Sequence, residues 1–428
     1  MCLTVPAKVL EVEDGRALLS NAKGTSFVEC PVTADLKPGD WVLHVNNLVI
    51  KKIPAKDAKE ILDILEGGKK RAAYSKLDPV FAESIEAVKG GEPGPGDIAS
   101  LLDAEGAEKE ALFFEANSVR GEHIKDFICI HGIIEFSNYC SMDCAYCGLS
   151  VDNAGVERFR MEPGEIIETA VEAVEVSGYK LLVLQSGEDP FYTDEILSSI
   201  IEEIKKRCRC FIFISVGERG YESYKKLKNA GASGVLFRFE TANQKLFKKI
   251  HPHGKDYNAR FEHLRFLREL GFFIATGSLV GLPGQTTEDI AGDILAISEH
   301  ADMATIGPFV PAPGTPLGKE APGDIELSLK ATAIIRLLMK KVRVPVVTAL
   351  ETLAGEEGRR RALTAGANSL MINLTPDKYR SLYSIYPKKF HERDSVFERY
   401  GLYNYKESFT MLEKRMAKEI EGRGHVQK

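Results

Sequence analysis

Cysteine is scarce in this chain, with eight residues among 428. That is too few for a disulfide framework, and a reducing cytosol keeps such thiols free. Long apolar runs are missing too. The longest, residues 272–283, contains Gly277 and Gly281 and falls short of the roughly 18 residues that a membrane helix needs. No broad basic stripe is present, and the net charge is −6 with a pI near 6.0, which argues against nucleic acid as the main partner. The basic run at residues 67–71 reads as a solvated linker. The opening Met1-Cys-Leu-Thr-Val-Pro6 has no charged leader and no signal-peptide core. The expectation is a cytoplasmic protein without membrane or nucleic-acid partners.

What cysteine there is gathers in one place. Cys140, Cys144 and Cys147 lie in Phe136-Ser-Asn-Tyr-Cys-Ser-Met-Asp-Cys-Ala-Tyr-Cys-Gly148, spaced Cys-x3-Cys-x2-Cys. Three thiolates this close can hold three irons of a cubane cluster and leave the fourth bare. A bare iron can bind a small molecule and pass it one electron. The alternative is a structural zinc knuckle, which usually wants a fourth ligand close by. After Cys147 no His or Cys occurs before Cys208. An exposed cluster of this kind is oxygen-sensitive, which points to an anaerobe or an anaerobic growth phase.

Patterning divides the chain. Residues 1–66 read as a small β domain, with alternating segments at 3–12, 17–20, 26–30 and 40–53 and a closing helix at 55–65. Residues 67–108 read as a linker with helices, since Gly67-Gly-Lys-Lys-Arg71 and Gly90-Gly-Glu-Pro-Gly-Pro-Gly96 are turn-rich. Over 109–390, strand candidates at 129–136, 180–185, 210–216, 234–239, 272–278, 303–309, 344–349 and 369–373 alternate with amphipathic helices. Eight such units predict an α/β fold, a (β/α)8 TIM-type barrel with its strands buried on both faces, and an open doubly wound sheet is the runner-up. Residues 391–428 are charged and predicted helical at 404–420.

In such barrels the reactive groups sit where strands end. The cysteine loop follows strand one. Gln185-Ser-Gly-Glu-Asp-Pro190 follows strand two, Ser215 and Glu218 strand three, Glu240-Thr-Ala242 strand four, and Ser278 with Gly281-Leu-Pro-Gly-Gln285 strand five. Pro308-Phe309 ends strand six, and Thr348 and Asn373 are expected to end strands seven and eight. Polar residues and glycines at one rim mark a mouth with a polar cargo. Cys129, Cys208 and Cys210 fall at the opposite end and read as structural. His131 reads as a satisfied core histidine. His251-Pro-His253 lacks a third ligand at useful spacing and is expected at the surface.

The cysteine spacing, with Tyr146 before the last thiol, resembles the signature of the radical S-adenosylmethionine (SAM) enzymes. The likeness implies a 4Fe-4S cluster on Cys140, Cys144 and Cys147 whose bare iron chelates the amino and carboxylate groups of SAM. Reductive cleavage then gives a 5′-deoxyadenosyl radical and methionine. Glu188 or Glu240 can meet the amino group, Arg260 the carboxylate, and Gly187 and Gly281 allow close backbone approach. For each charge a plain surface salt bridge is the alternative. Longer stretches resemble the HydE-type radical SAM maturases of FeFe-hydrogenase: Ile134-Glu-Phe-Ser-Asn138, Leu184-Gln-Ser-Gly-Glu-Asp-Pro-Phe-Tyr192, Arg238-Phe-Glu-Thr-Ala-Asn243, Gly277-Ser-Leu-Val-Gly-Leu-Pro-Gly-Gln-Thr286, Ile306-Gly-Pro-Phe309, Leu374-Thr-Pro376 and Tyr379-Arg-Ser-Leu-Tyr-Ser-Ile-Tyr-Pro387. The resemblance spans about residues 110–390. It implies that Glu240 and Arg260 grip the methionine moiety, and that Arg238, Thr348, Met371, Tyr383 and Tyr386 line an inner cavity. The implied role is to rework a small iron–carbonyl–cyanide–cysteine complex for the hydrogenase diiron centre (the H-cluster), with ferredoxin or flavodoxin as electron donor and other hydrogenase maturation proteins as partners. This chain departs from the family at Val347, where a second threonine is frequent, and at Phe239, where histidine is common. Both make the cavity more apolar. No cysteine follows Cys210, so the accessory cluster of some members is missing.

The first residues resemble another family. Met1-Cys-Leu-Thr-Val-Pro-Ala-Lys-Val9 and Gly39-Asp-Trp-Val-Leu-His-Val45 look like the HypC/HupF chaperones of NiFe-hydrogenase maturation. That likeness implies a small N-terminal β-barrel domain in which Cys2 carries an iron–cyanide–carbonyl unit. The family's strand histidine falls at Val45, with His44 one residue early, a slip that a bulge could repair. A plain docking domain is the alternative. A tether between carrier and barrel would raise the local concentration of the cargo. Two further readings stay open for the whole chain. One is a radical SAM enzyme acting on an amino-acid or sulfur metabolite, like biotin synthase or methylornithine synthase. The other is a non-enzymatic iron metallochaperone.

Overall fold

The computed structural model describes residues 5–13, 15–21, 24–30, 36–45, 48–66, 77–124, 128–252 and 256–389. They divide into two units, one within residues 1–67 and the other within 68–391. Cys2, His253 and the helix expected at 404–420 lie outside the described residues.

The first unit holds β1 (Val5–Glu13), β2 (Arg16–Asn21), β3 (Gly24–Glu29), β4 (Trp41–Val45), β5 (Leu48–Ile53) and α1 (Ala55–Glu66). Every second residue of the strands turns inward, so Ala7, Val9, Ala17, Leu19, Val28, Val42 and Val49 form one core. The single strand expected over 40–53 is instead the antiparallel pair β4–β5. The expected N-terminal β-barrel also needs correction. The strands succeed one another as β1-β2-β3-β5-β4, with β4 back against β1. Between β3 and β5, however, pairing comes down to Glu29 with Leu48, and it is parallel. Among the described residues this unit is a ring of five strands whose β3–β5 seam is that one parallel pair, rather than the evenly laddered barrel expected.

The second unit starts with α2 (Pro79–Gly90), α3 (Pro95–Leu102) and α4 (Gly106–His123). Asp78 caps α2 by accepting the Val80 N–H at 2.7 Å, with Pro79 at the first helical position. Strands and helices then alternate: β6 (Cys129–Ser137), α5 (Pro163–Glu175), β7 (Leu181–Ser186), α6 (Asp194–Arg207), β8 (Phe211–Ser215), α7 (Tyr221–Asn229), β9 (Gly234–Leu236), α8 (Gln244–Ile250), α9 (Tyr257–Glu269), β10 (Phe273–Val280), α10 (Thr287–His300), β11 (Met303–Pro308), α11 (Ile325–Leu338), β12 (Pro345–Val346), α12 (Thr348–Thr364), β13 (Ser369–Asn373) and α13 (Asp377–Arg380). The eight strands from β6 onward are parallel, in the order β11-β10-β9-β8-β7-β6-β13-β12. The ring closes where Arg343, just before β12, bridges Met303 and accepts the Ala304 N–H at 2.8 Å. This is a (β/α)8 barrel. Its strands are buried on both faces because helices cover the outside. On α11, Leu329, Ile334, Ile335 and Leu337 are fully buried, each contributing about 1.5–3 kcal/mol.

Two barrel strands are shorter than expected. β9 stops at Leu236 rather than 239, although its continuation still bonds β10, with Phe237 N–H donating to Ala275 O and Glu240 N–H to Gly277 O. β12 is two residues long, and Thr348 opens α12 instead of ending a strand. Pro345 removes one ladder donor, and Thr348-Ala-Leu-Glu-Thr-Leu353 contains good helix formers.

Candidate active site

The loop after β6 carries Cys140, Cys144 and Cys147, all half-buried. Arg158 fixes its course: Nη1 donates to the carbonyls of Asn138 (2.5 Å) and Leu149 (2.9 Å), and Nη2 to Ser150 O (2.7 Å). The loop is bound to its neighbours by backbone. Ala145 N–H donates to Ile250 O (2.9 Å), and Gly148 N–H to Ile385 O (2.8 Å). Ala145 packs with Leu279, Leu282, Phe309 and Leu317. On the β7 side, Glu188 N–H points at Cys140 Sγ (3.3 Å), and Ser141 N–H donates to Glu188 O (2.9 Å). Gly187 permits this contact, because a Cβ there would lie 2.2 Å from Tyr139 O and 2.8 Å from Cys140 Cβ. Asp189 is fully buried, accepting from Ser137 Oγ (2.6 Å) and Arg160 Nε (2.7 Å). The Arg160 guanidinium lies 3.7 Å over the Tyr139 ring.

Beside the thiols stands a charged group from the ends of β8 and β9 and from α9. Glu240 is buried and sits at φ 69°, a conformation non-glycine residues rarely adopt. Its N–H donates to Gly277 O and its carbonyl accepts the Leu279 N–H, so β10 holds it on both sides. Arg238 Nη2 lies 3.2 Å from Glu240 Oε2 and donates to Ser278 O at 2.6 Å. Among the described residues, Oε2 itself has no hydrogen bond of good geometry. Arg260, on α9, places Nε 2.9 Å from Glu218 and donates from Nη1 to Arg238 O (3.0 Å). Its guanidinium also lies 4.7 Å over Phe237. Tyr146 joins the two groups. Burial lifts its hydroxyl pKa well above the usual range, and Glu240, Cys144 and Cys147 add to that. Glu188 turns toward β8, accepting the Glu218 N–H at 3.0 Å. Gln185 Nε2 meets Ser215 Oγ at 3.3 Å. Gly281, at φ 84°, donates its N–H to Gln285 Oε1 at 2.7 Å.

The remaining candidates lie on β13, on α12 and in the segment after α13. Tyr383 is buried, and burial raises its pKa, with Glu135, Cys147 and Cys140 adding. Glu135 pairs with Lys389 and accepts from Asn373 Nδ2 (2.9 Å). Burial likewise raises Tyr386, whose hydroxyl meets Thr352. Thr348 is half-buried one turn before Thr352 on α12, and its carbonyl accepts from that threonine's hydroxyl at 2.8 Å. Met371, half-buried on β13, pairs with His131.

The other sequence expectations divide. His131 is buried, with Nε2 3.1 Å from Cys129 Sγ and 3.3 Å from Ser369 Oγ, but Nδ1 lacks a hydrogen-bond partner among the described residues. Burial lowers its pKa to about 3, so the ring is neutral. His251 is buried rather than at the surface. Its Nδ1 faces Phe247 O (3.1 Å) and its ring meets Tyr146 edge-on at 5.9 Å. In the first unit the β4–β5 register shifts between Leu43 and His44, but the extra residue, Ile50, lies on β5, and β4 keeps an unbroken register with β1 from Trp41 to His44, so the shift does not turn His44 to the face of Val45. Sequence reasoning passed over Arg158 and Asp293. Both act on backbone or on residues distant in sequence, and no spacing signals that.

The donor set fits a cluster. A cubane takes one thiolate per iron, so its ligands surround it instead of meeting at a point. Among the described residues no three His, Cys, Asp or Glu side chains converge on one ion position. Burial, then the neighbouring Cys140, pushes the Cys147 thiol up to about 12, so metal loading must displace its proton. The Radical SAM superfamily profile matches residues 134–296 and the HupF/HypC family profile residues 1–65. HydE, the [FeFe] hydrogenase maturase subunit of Thermotoga maritima, is 45% identical over 68% of this chain and 81% of its own length. The 3-methylornithine synthase of Methanosarcina acetivorans is 30% identical over 76% of this chain and 91% of its own.

The chain belongs to the radical SAM superfamily.

Its N-terminal unit is HypC/HupF-like, and the whole is a radical SAM enzyme, dependent on a 4Fe-4S cluster and SAM. The crystal structure of methylornithine synthase (PylB) aligns with a TM-score of 0.67 at 26% identity, covering 74% of this chain and 95% of that one. The maturase HydG aligns with a TM-score of 0.67 at 21% identity, covering 84% and 81%, which is a likeness of fold. Among the described residues no helix is long and apolar enough to cross a membrane.

Proposed function

We propose that this protein is a HydE-type maturase that processes a small iron complex for the hydrogenase H-cluster. The observation that carries the reading is the 45% identity maintained across 81% of the Thermotoga HydE. The HupF/HypC match supports it, because it joins a hydrogenase-maturation module to the same chain. Cys140, Cys144 and Cys147 would hold the cluster, which when bound supplies one electron to the SAM sulfonium. Glu240 offers a buried carboxylate oxygen, Oε2, to the amino group of SAM, and Arg260 is the cation for its carboxylate. Tyr146 and the Gly281 loop wall off the site, while the Leu279, Leu282 and Phe309 patch excludes water. Arg238, Thr348, Met371, Tyr383 and Tyr386 would face the substrate. Cys2 is assigned the iron–cyanide load. Electrons would come from a ferredoxin or flavodoxin in the cytoplasm.

The test is a defined FeFe-hydrogenase maturation mixture lacking HydE, to which anaerobically reconstituted protein is added. Recovery of hydrogenase activity that requires SAM is expected, and the Cys2→Ala variant should recover less. No recovery would contradict the reading. Formation of methylornithine instead would favour the second reading, an amino-acid substrate, which the 30% identity to 3-methylornithine synthase supports.

A further inference from the structure

Behind the mouth, one fully buried carboxylate joins the loops that follow β9 and β10. Asp293 lies on α10. Its Oδ1 accepts the Ala242 N–H at 2.5 Å and the Thr241 hydroxyl at 3.2 Å. Its Oδ2 accepts from Gln285 Nε2 at 3.0 Å. The Gln285 amide has only one workable orientation. Oε1 takes the N–H groups of Gly281 (2.7 Å) and Leu282 (3.1 Å), and Nε2 also donates to Leu279 O (3.0 Å). A flipped amide would set donor against donor, so Asp293 must accept.

The first tethered segment adjoins a rare backbone conformation, and the second turns at a glycine. Glu240, at φ 69°, directly precedes Thr241, and Gly281 sits at φ 84°. A strained backbone persists only where its surroundings hold it. Three donors favour the carboxylate, whereas burial lifts the group to about 7, so the structure maintains it against a desolvation cost. Its ionisable neighbours are already engaged. Asp289 accepts from Asn243 Nδ2 (2.6 Å) and the Thr286 N–H (2.9 Å), and Tyr257 donates to Ala242 O (2.7 Å).

We propose that Asp293 is a positioning residue for SAM: without touching the ligand, it fixes Glu240 relative to the Gly281 loop so that both meet one SAM molecule. This rests on the assignment of those two positions to SAM binding.

The experiment measures SAM affinity of reconstituted holoenzyme by equilibrium dialysis, beside iron content and the rate of SAM cleavage at saturation. Asp293→Asn presents an amide to Gln285 and should weaken SAM binding about tenfold, the loss typical of a supporting hydrogen bond behind a ligand, with iron content unchanged. The double variant D293N/Q285E reverses donor and acceptor across that bond but sets the new carboxylate against Leu279 O, so it should regain only part of the affinity. Asp302→Asn alters an equally buried carboxylate at the other end of the barrel, one that accepts the Ile274 N–H at 2.8 Å. It should lower the melting temperature and leave SAM affinity intact. If D293N does not fold, Gln285→Ala is read in its place. Wild-type affinity in D293N, or equal losses in D293N and D302N, would overturn the proposal. Failure of the wild-type holoenzyme to bind SAM would overturn it together with the SAM assignment, a result distinguishable from the others.

Discussion

Gly187 shows how narrowly single residues determine this site. Its missing side chain lets the β7 loop lie against Tyr139 and Cys140. Gly187→Ala is expected to cost about 1–3 kcal/mol through overpacking, and to reduce the iron retained after reconstitution, measured per chain. Gly164→Ala is the control. A Cβ there, in the first turn of α5, meets nothing within 4 Å. Unchanged iron in G187A would show that the loop can rearrange around the added methyl. Residues of this kind were legible in the sequence, because the cysteines and the Gln185-Ser-Gly-Glu-Asp189 run are local patterns. Arg158 was not. Its guanidinium serves carbonyls of residues 138, 149 and 150, and backbone acceptors leave no trace in the sequence. His251 was misplaced for a related reason. Its neighbour Tyr146 is distant in sequence, and a His-Pro-His triplet reads as loop.

Among elements, long periodic helices were read well, whereas short strands were not. β9 and β12 have three and two residues, because barrel strands rely on neighbours more than on their own length. The β4–β5 reversal was missed because apolar alternation runs on both sides of Asn46-Asn47. One contact between helices makes a pH prediction. Glu326, at the start of α11, pairs with Arg361 of α12 and with Lys109 of α4 at 3.1 Å. Arg361 first, then Lys109, lowers its pKa from 4.5 to about 2. A depressed carboxylate pKa adds stability above its unfolded value, and that stability is lost as pH falls from about 4.5 through about 2. The carboxylate is partly exposed, so screening leaves only a fraction of the full linkage. Glu326→Gln should lower the melting temperature by a few degrees at pH 7 and by less at pH 3. An equal loss at both pH values would contradict the assignment.

Over the whole molecule, the count of βα units was enough to expect a barrel. Closure of the small sheet was not legible, since a seam of one pair and a full ladder arise from the same alternating strands. The larger ring closes through Arg343, a residue that no strand pattern included. The account as a whole depends on a three-thiolate cluster that takes SAM at its open iron beside Glu240 and Arg260. Electron paramagnetic resonance of the reduced, anaerobically reconstituted chain, recorded before and after SAM is added, tests this most directly. A changed cluster signal, followed by release of 5′-deoxyadenosine, is the predicted result. A spectrum indifferent to SAM would contradict it.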